Sequence, residues 1–311
     1  VTLILSVIAL DLAWSARLEM RINDFQQQRL QSRTLSHAAL DMALARLNQP
    51  ENRTLGTAVH YAQGSWIPAH GPGPFTAPES TVLDSQQIPA GTYSLEIVNH
   101  SGKLNINTLD RPILERVLLL SGHDGVEATA GAILAFRDTR PDARILDLDE
   151  LQNVPGVDMK LIYGEDINNN GLLDQSENDG TAKAPPDDAD GTLDTGLAAY
   201  ITTSPHAAVS VNHAPLPVLS AALDISLEQA QQIAGLREAR DFAVSDIQDL
   251  FIFEWMDDTR RQQLLTQFST DADRFSVRLT AAAANGAAPV RARVEVAVID
   301  GRPASILWRD F

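Results

Sequence analysis

Strand patterns lie on both sides of a long segment with helical character, and this split limits the possible folds more than any other feature. Residues 91–100 alternate apolar and polar side chains, as a strand with one buried face does. Three further strand patterns lie at the end of the chain, at 274–284, 289–300 and 304–311. Asn-Gly and Asp-Gly pairs separate them at hairpin spacing. We predict one discontinuous antiparallel sheet, interrupted by a helical lobe over 103–270. Domains that simply follow one another along the chain are the alternative.

The beginning of the chain has the pattern of one long helix. Its first 14 residues are apolar apart from two hydroxyl side chains and Asp11. Apolar side chains then continue at helical spacing to Leu47, and the first proline is Pro50. We predict a helix over 1–49, with a membrane-anchoring start followed by an amphipathic stalk. Because a bilayer crossing takes about 20 apolar residues, we also expect residues upstream. A buried core helix and the tail of a cleaved signal sequence are the alternatives.

The helical segment contains an internal repeat. Three groups of residues recur in the same order, starting at Asn107, Ile133 and Glu150 in the first copy and at Asn212, Ile233 and Asp246 in the second. Each copy predicts a strand end, a helix opened by proline, a second helix and a short helix with an acidic cap. The first copy ends in LQNVPGVD (151–158), which is typical of a helix-hairpin-helix turn. The second copy has LFIF (250–253) and lacks the Pro-Gly pair.

Helix-hairpin-helix turns commonly bind DNA through backbone amides, so a membrane-anchored DNA-binding protein is the competing function. The formal net charge is −17, and acidic side chains surround the first hairpin. Such a field repels phosphate. We therefore interpret both copies as packing units and expect no nucleic-acid partner.

Residues 166–177 carry the complete pattern of a calcium-binding loop, D-x-N-x-N-G-x-L-D-x-x-E. Short side chains would give oxygens to the cation while the loop bends at Gly171, and Glu177 would close the shell with two oxygens. Leu173 would fix the loop to the protein. The predicted ligands are Asp166, Asn168, Asn170, Leu172 (through its carbonyl), Asp174 and Glu177. The flanks do not fit a paired EF-hand, so we expect the ion to be structural. A solvated acidic loop is the alternative.

A second acidic segment follows at 185–194. Asp187, Asp188, Asp190 and Asp194 lie around Gly191, but no glutamate closes the pattern at the right distance. These carboxylates would either form a second calcium site or add ligands to the first.

The sequence contains no motif of a known catalytic centre. It has no cysteine, which excludes disulfides, zinc-thiolate sites and a cysteine nucleophile. No metalloprotease, serine-hydrolase, phosphate-loop or dinucleotide pattern occurs, and the 7 histidines are scattered. We therefore expect a non-enzymatic protein, with a calcium-dependent secreted hydrolase as the weaker alternative.

Four segments, in a specific order, carry a resemblance to a known family. They are LSHAALDMALARL (35–47), GKLNINTLDRPIL (102–114), LDLDELQNVPGVD (146–158) and AAYITTSPHAAVSVNHAP (198–215). Together they resemble the K-type minor pseudopilins of bacterial type II secretion. They are similar to the end of that family's long helix, its entry into a helical insert, its hairpin and its approach to a second repeat. As is typical of K-type members, residues 1–10 include no carboxylate.

The resemblance implies an α+β, pilin-like fold in four parts: an anchoring and stalk helix (1–49), the first part of the pilin-like domain (50–102), a helical insertion with the calcium loop (103–270), and completing strands (271–311). It implies a single-pass inner-membrane protein with a periplasmic body, at the tip of a short pseudopilus. The implied partners are the I-type and J-type minor pseudopilins, other pseudopilins and the inner-membrane assembly platform. The implied cofactor is calcium. We expect a subunit that initiates or caps pseudopilus assembly for export across the outer membrane.

Overall fold

The computed structural model describes residues 2–49, 58–62, 65–69, 86–88, 91–166, 173, 177–180, 187, 189–206, 208–239, 244–284 and 289–310. In chain order the elements are α1 (Thr2–Leu47), β1 (Ala58–Ala62), β2 (Ser65–Ala69), β3 (Gln86–Ile88), β4 (Gly91–Asn99), β5 (Leu104–Asn105), α2 (Arg111–Leu120), α3 (Val126–Thr139), α4 (Met159–Tyr163), β6 (Ile201–Thr202), β7 (Val209–Ser210), α5 (Leu216–Leu223), α6 (Leu227–Ala239), α7 (Asp258–Gln267), β8 (Phe268–Ser269), β9 (Arg274–Ala283), β10 (Val290–Ile299) and β11 (Arg302–Asp310). Short 3-10 helices lie at Leu148–Asn153, Leu197–Ala199 and Ile247–Ile252.

The first element, α1, is a single unbroken helix, as predicted. Its 46 residues extend over about 70 Å. Its last part buries Leu35, Ala39, Ala43 and Leu47 at helical spacing, whereas large apolar side chains between Leu12 and Leu30 are exposed. Those exposed side chains are Leu12, Trp14, Leu18, Met20, Ile22, Phe25 and Leu30. In the part of the chain that the structure describes, none of the helices combines the length and the apolar character that a membrane crossing requires.

One antiparallel sheet joins strands from both ends of the chain. The strand order is β11-β10-β9-β4-β1-β2, and β3 also pairs with β4. The central pair is β4 with β9, in register from Gly91 opposite Ala283 to Asn99 opposite Phe275. The turn between β10 and β11 uses Asp300 and Gly301, which both have positive φ, as an Asp-Gly hairpin requires. The predicted discontinuous sheet is therefore confirmed.

The second half of α1 packs on one face of this sheet. Its apolar side chains share a core with alternate residues of the central strands, including Leu95, Val277, Leu279 and Val294. The backbone N–H of Ala283 also donates to the buried Ser32 Oγ at 3.0 Å. Because the side chains on one face of a strand recur every second residue, the alternation in the sequence identifies the face that α1 covers.

The insertion between β4 and β9 is mainly helical and has its own core. Leu114, Ile133, Leu151, Leu219 and Ile233 are among its fully buried side chains. Two short parallel pairs, β5 with β6 and β7 with β8, join each end of the insertion to its middle. The helical lobe predicted between the strands is present.

The two halves of the insertion make the same hydrogen bonds at matched positions. The N–H of Ile145 donates to Asn107 Oδ1 at 2.8 Å, and Asn107 Nδ2 donates to the Ile145 carbonyl at 3.0 Å. Asn212 and Val244 form the same pair of bonds, both at 3.0 Å. Likewise Arg137 donates to the carbonyls of Ile106 and Leu109, and Arg237 to those of Val211 and Ala214. That either unit is a true helix-hairpin-helix motif stays a prediction.

Candidate metal centre

The predicted calcium loop leaves and re-enters the insertion through a closed base. The N–H of Glu165 donates to the Asp194 carbonyl at 2.8 Å, and the N–H of Asp194 donates to Glu165 Oε2 at 3.2 Å. Gly164 and Thr195 form an antiparallel bridge beside these bonds. Gly164 has φ +66°, and a Cβ added to it would lie 2.2 Å from the Asp194 carbonyl oxygen. Only glycine fits this crossing, which holds residues 165 and 194 together.

Two of the predicted ligands are buried at the two ends of the loop pattern. Asp166 is 5% exposed and Glu177 is 3% exposed. Leu173, which we expected to fix the loop to the protein, is buried as well. Carboxylates are rarely buried unless a cation or hydrogen-bond donors compensate them. Both buried carboxylates therefore need such compensation, which fits their positions as the first and last ligands of the predicted loop.

The described structure does not bring the remaining predicted ligands together with Asp166 and Glu177. Asn168, Asn170, Leu172, Asp174 and Asp188 lie outside the described residues, and Asp190 and Asp194 are exposed. Among the residues that the structure describes, no three His, Cys, Asp or Glu side chains lie close enough to hold a metal ion. The complete ligand set stays a prediction.

In the second acidic segment, two side chains serve to shape turns. Asp187 accepts hydrogen bonds from the N–H groups of Asp179, Gly180 and Ala189, at 3.0, 2.7 and 2.8 Å. Desolvation opposes the charged form, but these backbone donors outweigh it and hold the pKa of the Asp187 carboxyl below its usual value. Asp190 Oδ1 accepts from the Thr192 N–H at 2.6 Å. These oxygens are thus engaged by the loop's own backbone.

Lys103 is a buried cation that the sequence did not indicate as part of this region. It is 3% exposed, and its Nζ donates to the Ala198 carbonyl at 2.7 Å. Burial lowers the pKa of the Lys103 ammonium to about 8, while the charge of Asp166 acts to raise it. The ammonium therefore provides Asp166 with a positive charge from the protein itself. The lysine of the segment GKLNIN was the available signal, but a lysine in sequence normally indicates a surface side chain.

A buried histidine joins the insertion to the sheet. His100 Nε2 lies 2.8 Å from Ser276 Oγ of β9, and Nδ1 lies 3.2 Å from Thr202 Oγ1 of β6. Burial is the main cause that holds the pKa of His100 well below 6.5, and the neighbouring Lys103 adds to the shift. Both ring nitrogens lie within hydrogen-bond distance of a hydroxyl group, so this neutral imidazole links the insertion to the sheet.

The whole fold resembles one solved structure of a secretion complex. A chain of the crystal structure of the GspK-GspI-GspJ complex from the enterotoxigenic Escherichia coli type 2 secretion system superposes with a TM-score of 0.51. The match covers 92% of this chain and 98% of that chain, at 13% sequence identity. The chain has a pilin-like fold. No protein-family model and no curated protein matches the sequence.

Proposed function

We propose that this chain is a non-enzymatic minor pseudopilin of the K type, which sits at the tip of a type II secretion pseudopilus and initiates or caps its assembly. The observation that carries the proposal is the extent of the structural match. It covers 98% of a chain from a pseudopilin complex and 92% of this one. The long helix, the split sheet and the insertion thus fall within one alignment. The order of the four sequence motifs supports the same assignment.

The proposed partners are the I-type and J-type minor pseudopilins, followed by other pseudopilins and the inner-membrane assembly platform. The similar structure supports the first two, because it is a complex that contains GspI and GspJ. The exposed apolar side chains of α1 between Leu12 and Leu30 offer a surface for neighbouring helices. The proposed location is the inner membrane, entered through the start of α1, with the body in the periplasm.

Co-purification tests this assignment. A soluble form that starts near Arg17 is mixed with candidate I-type and J-type subunits, and we expect a stable three-component complex on gel filtration. Phe25→Ser removes an exposed apolar side chain from α1 and should weaken this complex. Leu119→Ser removes an exposed apolar side chain from the insertion and should leave the complex unchanged. Submicromolar binding to duplex DNA in place of these partners would favour the DNA-binding alternative.

We further propose that the loop at 166–177 binds calcium and that the ion is structural. The complete loop pattern, the two buried carboxylates and the closed base at Gly164 support this proposal. Without calcium, Asp166, Asp174 and Glu177 would bring three negative charges into one loop, and the Lys103 ammonium would offset only part of that charge. An ion that binds only the folded form stabilises it by about 2.7 kcal/mol when its concentration is about 100 times its dissociation constant.

Chelation tests the calcium proposal independently of the partners. We expect a chelator to lower the melting temperature, and calcium to restore it better than magnesium, because flexible loops with six or seven oxygens favour the larger ion. Glu177→Ala should reproduce the chelated state. Asp258→Asn, which removes a fully exposed carboxylate elsewhere, should leave the calcium response intact. If the chelator alters neither melting nor proteolysis of residues 160–200, the loop is an acidic surface turn.

A further inference from the structure

Three arginines lie side by side on the face of the sheet that α1 does not cover. Arg278 of β9, Arg293 of β10 and Arg309 of β11 are directly opposite one another in the pairing register. The residues next to them along the strands, such as Val277 and Val294, belong to the core under α1, so the arginines point to the other face. Side chains in such positions have Cβ atoms about 5 Å apart, where like charges repel one another. The row is therefore destabilising unless anions offset its charge.

Carboxylates of the protein offset only part of this charge in the described chain. Glu96 Oε1 lies 3.3 Å from Arg278 Nη1, and Glu295 Oε1 lies 3.0 Å from Arg293 Nε. Arg309 is exposed and forms no salt bridge with any described residue. Aspartate and glutamate outnumber lysine and arginine by 41 to 24, so the missing partner does not reflect a shortage of carboxylates. The last arginine of the row thus presents its charge to solvent.

Arg309 lines a groove between the outer face of the sheet and the insertion. Arg293 lines it as well, and so does Arg144 of the insertion, which is exposed and has no salt-bridge partner among the described residues. Two carboxylates also line the groove, but Glu295 accepts from Arg293, and Asp147 accepts from a backbone N–H of its own turn. The volume is about 220 Å³, below the roughly 300–1,000 Å³ of sites that enclose a drug-sized molecule. This size favours a few side chains of a polypeptide over a cofactor.

A bulge in β11 places two neighbouring apolar side chains in the same groove. Leu307 is opposite Glu295, but Ser305 is opposite the very next residue of β10, so Ile306 is an extra residue in β11. Successive side chains of a regular strand point to opposite faces, whereas Ile306 and Leu307 both line the groove. Leu146 lines it from the insertion. These three side chains are 46%, 43% and 63% exposed, so the groove combines accessible apolar surface with two unpaired guanidinium groups.

We propose that this groove is a docking site for a segment of a partner protein that presents aliphatic side chains beside aspartate or glutamate. We call it the arginine groove and define it by Arg144, Leu146, Ile306, Leu307 and Arg309. A carboxylate can accept two parallel hydrogen bonds from one guanidinium, and at Arg309 it would also offset the repulsion along the row. Opposite charge beside an apolar contact steers association and rejects basic partners. The contact uses side chains on the face of the sheet, and the proposal depends neither on calcium nor on the pseudopilin role.

Three synthetic peptides of equal length test the chemistry of the partner. One combines leucine with glutamate, one leucine with lysine, and one serine with glutamate; each carries a dye for fluorescence anisotropy with the full chain. The net charge of −17 attracts lysine peptides without specificity, so a preference for glutamate can come only from a local site. We expect the leucine–glutamate peptide to bind at least about tenfold more tightly than either of the others.

Three results of this assay overturn the proposal. They are equal or tighter binding of the leucine–lysine peptide, equal binding of the serine–glutamate peptide, and no binding of any peptide. Inorganic phosphate is tested as a competitor. If phosphate alone binds as tightly as the leucine–glutamate peptide, the groove is a general anion site and the proposal fails.

Matched variants test the location. Arg144→Gln combined with Arg309→Gln should weaken leucine–glutamate binding by about tenfold or more. Arg302→Gln is the control, because Arg302 is also an exposed arginine of β11 but does not line the groove. Leu146→Ser should weaken binding of the leucine–glutamate peptide and not of the serine–glutamate peptide. Its control is Leu119→Ser on α2, where the side chain is 64% exposed. If a control weakens binding as much as its matched variant, the site is elsewhere and the proposal fails.

Thermal melting distinguishes docking from a role in the fold. The double arginine variant removes a positive charge from the row, so it should melt at the temperature of the unaltered chain or slightly above it. A decrease of more than a few degrees would show that these arginines stabilise the fold itself, and would overturn the proposal. Self-association of the chain that the double variant abolishes would identify a second copy as the occupant, and would equally overturn the proposed partner.

Discussion

Replacing Gly164 with alanine should open the base of the predicted calcium loop. The added Cβ would lie 2.2 Å from the Asp194 carbonyl oxygen, so the two segments must move apart by about 1 Å to restore normal contact. Gly164 has φ +66° and ψ −127°, a backbone conformation that costs alanine about 1–3 kcal/mol. Separation would also break the two hydrogen bonds between Glu165 and Asp194, at about 1 kcal/mol for the backbone pair and about 2 kcal/mol for the bond to the carboxylate. We therefore expect a total loss of about 4–6 kcal/mol.

Gly156→Ala provides the control for backbone strain. Gly156 also has a positive φ, +84°, but nothing lies within 4 Å of an added Cβ. Its replacement should therefore cost only the conformational part, about 1–2 kcal/mol. Urea denaturation in excess calcium measures both variants, and limited proteolysis of residues 160–200 reports local opening. If the two variants lose the same stability, the close crossing at Gly164 does not hold the loop, and the reasoning is wrong.

Two further changes test the packing of the insertion and its junction with the sheet. Asn212→Ala should lower the free energy of unfolding by about 3–4 kcal/mol and Asn107→Ala by about 2 kcal/mol. The loss is larger for the buried Asn212 because it also donates to the Thr270 carbonyl at 2.9 Å, and each buried group that loses its partner costs about 1 kcal/mol or more. Equal losses in thermal melting would contradict this ranking. Burial holds the pKa of His100 well below 6.5, so below about pH 6.5 the unfolded chain binds a proton that the folded chain does not. Above that pH this group does not change the free energy of unfolding, and below it the free energy of unfolding falls by about 1.4 kcal/mol per pH unit. His100→Gln should flatten the slope between pH 6.5 and 5 relative to the unaltered chain, and an unchanged slope would show that His100 does not titrate as proposed.

The parts of the fold that the sequence predicted are those with local patterns. Alternation identified β4 and the final strands, the Asp-Gly turn identified one hairpin, and helical spacing identified α1. The split sheet could be predicted because the strand patterns on both sides of the helical segment need partner strands. The two-residue parallel pairs, such as Leu104–Asn105 with Ile201–Thr202, escaped prediction because they are too short to leave a periodic signal.

The candidate metal centre shows the same division between local and distant information. The predicted ligand order from Asp166 to Glu177 is local and could be read directly, and so could the burial of Leu173. The buried position of Lys103 depends on the Ala198 carbonyl, which lies 95 residues further along the chain. The tight crossing of Gly164 with Asp194 likewise joins distant residues. Contacts of this kind arise only once the insertion has folded, so no local sequence motif predicts them.

The edge strand β11 has features that disfavour pairing with a further strand. An exposed edge invites another strand to pair with it, and proteins commonly prevent this with charged side chains and bulges. In β11, Arg302, Arg309 and Asp310 are exposed, and the pairing with β10 shifts register between Glu295 and Val296. The resulting bulge disturbs the row of backbone groups that an added strand would need. Extension of the sheet at this edge is therefore disfavoured, and we expect the proposed partners to contact the exposed apolar side chains of α1 between Leu12 and Leu30 instead.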